Sequence, residues 1–264
     1  MDILENFLFQ LLSTVGIVII FGFLIALCRR AFCKITGNKG IKILLATGII
    51  GTPIHELSHA LMCLIFGHKI TEMKLYDPNS DDGTLGYVNH SFNPKNIYHQ
   101  IGNFFIGIAP ILGGSGILLL LSLILVPDVN AGIMREFRLV GSVDVSRFFE
   151  AFGSMIGYVF DFDNMTDISW WIFIILAFSI ASHMELSAAD IKGSLYGLGL
   201  LAAILLLADT VLYFIAERTL INFTSILVSL SLSISVFLML SIIFLLAMIL
   251  IALLVKGIQR LTQK

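Results

Sequence analysis

A chain of 264 residues that is 58% hydrophobic and only 13% charged departs from soluble domains, which carry about 25% charged and roughly 45–50% apolar residues. The apolar excess falls in long runs, which argues against a soluble fold and for an integral, multi-pass protein of the cell membrane, set in the lipid bilayer. A net charge of −2 with 16 scattered basic residues offers no stripe for nucleic acid, and three cysteines, Cys28, Cys33 and Cys63, make no disulfide framework.

The hydropathy pattern predicts an all-α polytopic membrane protein, one integral domain over 1–264. About six transmembrane helices fall near 6–28, 43–67, 101–125, 170–187, 194–215 and 224–255. The first run opens with "MDILENFLFQ", without the basic lead-in of a secretory signal, and continues to Cys28. It reads as a retained span. After it come Arg29, Arg30, Lys34, Lys39 and Lys42 with no acidic residue over 29–42, which favours the cytoplasm.

The second run contains "GTPIHELSHALMCLIFGH", residues 51–68. Ionisable groups near a bilayer centre cost roughly 2.5–3.5 kcal/mol each, and His55, Glu56 and His59 fall together inside this run. Positions i and i+4 share a helix face, so His55 and His59 can reach one metal ion, and neutral imidazole suits Zn2+. Glu56 lies off that ligand axis, where it can take the proton of a zinc-activated water.

Next, "TEMKLY" alternates, "DPNSDDG" has turn chemistry, and "TLGYVNH" returns as a second extended run. A β-hairpin-like segment over about 69–90, lying on the membrane face, is the expectation. His68, His90 and His99 are read there as solvated loop histidines. The third span carries "FIGIAPILGGSG", residues 105–116, whose small residues favour close helix packing. From Pro127 to Ser169 the choice stays open between an interfacial helix and part of the bundle.

"SIASHMELSAADIKGSLYG" joins the fourth and fifth spans. It offers His183, Glu185 and Asp190, with Asp209 deeper in the fifth span. Asp190 sits between Ala188, Ala189 and Gly193, which permit close helix approach. His183 is two helical turns earlier and could orient a ligand. Asp190 is thus a candidate third ligand, with Asp209 and His183 as alternatives. The last span exceeds what a bilayer requires and ends in a tail with Lys256, Arg260 and Lys264. Under six crossings this tail cannot share a side with the 29–42 loop unless one segment is re-entrant. The tail then favours a cytoplasmic hairpin.

At this point the chain resembles the site-2 protease family of intramembrane zinc metalloproteases, as a divergent member. "HELSH" within a span, the hairpin after it, "GIAPILGG" in the next span and a later aspartate carry the resemblance. In that family the first motif supplies two zinc ligands and the general base, which transfers to His55, His59 and Glu56. The third ligand is an aspartate usually followed by glycine; Asp190 in "ADIKG" is the best match, with two residues intervening. The family's small-residue motif often continues to an asparagine, absent here. The resemblance implies a metalloprotease core over about 43–200, with further helices over 194–264. It implies hydrolysis of peptide bonds in or next to the membrane, with a membrane protein or peptide as substrate. The alternatives are a catalytically idle scaffold or receptor keeping the metal site, or a metal-ion transporter.

Overall fold

A computed structural model describes residues 2–80, 83–139 and 145–262. An Asp2–Glu5 capping box starts α1 (Ile3–Leu11), which passes through a π-helical turn at Leu12–Gly16 into α2 (Ile17–Thr36). Together they make a 34-residue rod, roughly 51 Å long. Gly37, at φ +57°, breaks the rod, and α3 (Asn38–Ile65) turns back beside it. Gly67, at φ +70°, releases the chain from α3. Then come β1 (Lys69–Lys74) and β2 (Tyr87–Ser91), followed by α4 (Ile97–Leu125), capped by Asn96. The remaining helices are α5 (Pro127–Leu139), α6 (Val145–Val159), α7 (Ile168–Ala181), α8 (Ala188–Ile215) and α9 (Glu217–Thr262).

Among the described residues, five helices are long and apolar enough to cross a membrane: the α1–α2 rod, α3, α4, α8 and, within α9, Phe237–Gln259. The run expected as a fourth span over 170–187 divides. Only its first part is helical, and α7 has 14 residues, roughly 21 Å against a ~30 Å hydrocarbon core. A capping box between Ser187 and Asp190 starts α8 afresh, so Ser182–Leu186 is released from helix. The His183–Asp190 spacing is therefore not two helical turns.

This interruption removes the conflict over sidedness. The Lys256 ammonium donates to the Ile35 carbonyl, so the start of the basic tail lies at the same end of the bundle as the basic 29–42 segment, which is helical apart from Gly37 rather than a loop. The expectation that six crossings separate them fails because α7 stops partway and α8 completes its path.

The hairpin has the expected antiparallel pairing, Ile70 opposite His90 and Met73 opposite Val88, with an irregularity between Ile70 and Glu72. Its placement differs from a cap on the membrane face. From the end of α3 it runs back along that helix: the Tyr76 hydroxyl donates to the Leu45 carbonyl at 2.6 Å, and a Cβ on Gly48 would lie 3.2 Å from Leu85. The hairpin's turn thus reaches the end of the bundle where α3 begins.

The core centres on Ile25, Phe32, Ile111, Leu118, Phe173, Ile180, Leu238 and Leu245. Val129 and Ile133 of α5 and Met155 and Val159 of α6 belong to it, and the Trp170 indole donates to the Val159 carbonyl at 2.7 Å. The described parts of 127–169 are therefore bundle rather than surface helix; residues 140–144 of that stretch lie outside the described residues. Outward positions such as Ile20, Phe23, Leu64, Leu207 and Phe214 stay exposed, as expected of helices solvated by lipid rather than water.

Candidate metal centre

Helical periodicity in α3 stacks His55 and His59 one turn apart, with ring centroids at 4.9 Å. Their main-chain partners fix how each ring is protonated. His55 Nδ1 lies 2.7 Å from the His183 carbonyl, and His59 Nδ1 lies 2.7 Å from the Ile106 carbonyl. A carbonyl only accepts, so each Nδ1 carries a proton and each Nε2 of the neutral ring is a bare lone pair. These two Nε2 atoms face one another at 3.2 Å. Two acceptors at that separation repel unless a proton or a metal ion lies between them. Metal–nitrogen bonds of about 2.0–2.1 Å in a tetrahedral site put two nitrogens roughly 3.3 Å apart.

Asp190 supplies the third group. Its Oδ1 lies 3.4 Å from His59 Nε2, while its Oδ2 accepts from the Ser187 amide at 2.8 Å. One oxygen is thus spent on the helix cap and the other turned to the histidines. Ligand atoms of His55, His59 and Asp190 all lie within 4.8 Å of one another. Gly107 on α4 makes this approach possible: a Cβ there would stand 2.6 Å from the Asp190 carbonyl oxygen. The small-residue motif of the third span therefore works by close packing against the junction that carries Asp190.

Glu56 is 6% exposed and lines a cleft of about 470 Å³ together with the three candidate ligands. The returning arm of the hairpin lies over it; a Cβ on Gly86 would be 2.8 Å from Glu56 Cγ. Residues 83–90 line the cleft without a gap. Side chains alternate between the faces of a strand, so the unbroken lining run Tyr87–His90 within β2 turns the backbone edge of that strand to the cleft.

The other expected residues divide. His183 meets the site through its backbone carbonyl, and its ring turns to the hydroxyls of Thr47 at 3.2 Å and Thr52 at 3.4 Å. Asp209 is elsewhere: it accepts from the amides of Asn6 and Gln10, each at 3.1 Å. Asn6 also accepts from Thr224, so this fully buried network joins α1, α8 and α9. His68 is 4% exposed, contrary to its reading as a solvated loop histidine, and His90 is half-buried.

Two features went unread in the sequence. Arg29 forms an ion pair with Glu185 at the rim of the cleft, so one of the five basic residues of the 29–42 loop faces the site. Gly86 sets how closely the hairpin arm approaches Glu56. A basic residue ending one apolar run and an acidic residue interrupting another were the available signals for the pair.

The chain matches no family model, no curated protein and no solved structure with which it was compared.

Proposed function

We propose that the protein is an intramembrane zinc metalloprotease. The observation that carries this reading is the pair of bare Nε2 lone pairs at 3.2 Å, with a carboxylate oxygen beside them and a glutamate lining the same buried cleft. His55, His59 and Asp190 would hold zinc, since two imidazoles and a carboxylate leave the fourth position open as catalytic zinc sites do. Zinc bound there supplies Lewis-acid polarisation of a peptide carbonyl and acidifies an attacking water.

This chain's own residues do the rest. Glu56 takes the water's proton and returns it to the leaving amine. The carbonyls of His183 and Ile106 hold the imidazoles in one tautomer, and Ser187 aims the Asp190 carboxylate. A transmembrane helix hides its carbonyls in hydrogen bonds, so a substrate must be extended before attack. The edge of the arm over 83–90 offers pairing to such a segment, a strand-addition mode of binding. The presence of Glu56 beside the ligands favours an enzyme over a scaffold, because holding a metal requires only the ligands.

Glu56→Gln tests the reading. Sequencing of new peptide termini in membranes from cells expressing wild type or this variant should reveal termini within or beside spans only with wild type. Identical termini in both would remove Glu56 from the chemistry.

A further inference from the structure

A second group of metal-ligand chemistry lies one turn beyond the first. Cys63 follows His59 by four residues on α3 and is fully buried. His68 comes from the segment leaving α3 and His90 from β2. Cys63 Sγ and a ring nitrogen of each histidine lie within 4.8 Å of one another. His68 Nε2 is 2.8 Å from the His99 carbonyl, so Nε2 carries the proton and Nδ1 is bare. That bare Nδ1 lies 3.0 Å from His90 Nδ1. The buried His68 ring is stacked on Phe92, centroids 5.0 Å apart and planes 15° apart. Asn93 N–H donates to His99 Nδ1 at 3.2 Å, which steadies the residue whose carbonyl orients His68.

We infer that Cys63, His68 and His90 form a second metal site, distinct from the His55–His59–Asp190 centre, which takes a borderline-soft divalent ion of the zinc class. One thiolate and two imidazoles suit such an ion. The outer carbonyl of His99 is the kind of partner that fixes a ligating histidine. Binding releases the Cys63 thiol proton to solvent and forms sulfur–metal and nitrogen–metal bonds, with no redox change. The site joins the end of α3 to β2. It thereby anchors the arm that lies over Glu56, and it stands whether or not the first centre hydrolyses anything.

Cobalt(II) alone is a sufficient probe, because a thiolate ligand gives a near-ultraviolet charge-transfer absorption that a site of imidazoles and carboxylate does not. The full chain carrying Cys28→Ser and Cys33→Ser, leaving Cys63 as the sole thiol, is stripped of metal and titrated with cobalt. The expected result is a charge-transfer band that is lost in Cys63→Ser and in His90→Ala and retained in Asp190→Ala. His90 is on the half-buried strand, so its replacement spares the helical core. Absence of the band in the parent chain, or an undiminished band in His90→Ala, would overturn the site.

Discussion

At the scale of single residues, the candidate third ligand, Asp190, differs most from the other two in how it reaches the site. His55, Glu56 and His59 are legible because an i, i+4 pair on a helix is a local pattern. Asp190 is legible only through its small neighbours, and the reason it reaches the site is a cap: Ser187 binds one carboxylate oxygen and leaves the other for the histidines. Ser187→Ala should therefore weaken zinc binding by about 10–100-fold, the usual cost of losing a partner that orients a ligand. Asp209→Ala should leave zinc in place and instead destabilise the fold, since the Asn6 amide loses its acceptor and Gln10 keeps only Thr224, at roughly 1–3 kcal/mol per buried group left unpaired. Zinc titration beside thermal unfolding of the two variants separates these roles; metal loss in Asp209→Ala would make that residue the ligand. No local pattern announced the Asp209 network, because its donors are 199 and 203 residues away in sequence.

Among elements, the hairpin and the α7–α8 break position the chemistry. Alternation and turn residues made the hairpin readable in sequence, and its pairing agrees with that reading. Its descent along α3 was not readable, since it depends on contacts such as Tyr76 to Leu45 and Gly86 to Glu56. The break after α7 was also hidden, because hydropathy averages over a window while a helix end is set by single caps and polar groups. Gly86→Ala should push the arm away from Glu56, lowering turnover by between about ten- and a hundredfold, with zinc at the His55–His59–Asp190 centre, read in the Cys63→Ser chain, unchanged. Gly107→Ala should act on the other wall, displacing Asp190 and reducing zinc affinity at a packing cost of about 1–3 kcal/mol. Equal losses of zinc in both would show that the two glycines do not serve separate elements.

At the scale of the molecule, the five long apolar helices among the described residues and one interrupted path through α7 and α8 place Lys256 and the basic 29–42 segment at one end. We propose, from the excess of Lys and Arg there, that this end is the cytoplasmic one. The hairpin's base then faces outward, while its turn returns to the cytoplasmic end beside the start of α3. Asn79→Cys and Lys39→Cys, each in a background lacking the native cysteines, should resist a membrane-impermeant thiol reagent applied to intact cells, and Asp2→Cys should react. Labelling of position 79 together with position 2 would reverse the placement of the hairpin turn.

The proposed chemistry requires that the two imidazole Nε2 atoms and the Asp190 carboxylate enclose a metal. The decisive quantity is the zinc content of the purified full chain carrying Cys63→Ser, which removes the thiolate of the second site. One zinc per chain is expected, retained in Glu56→Gln and lost in both His59→Ala and Asp190→Ala. A folded chain with no bound zinc, or zinc that survives both ligand replacements, would contradict the metal centre and the protease reading built on it.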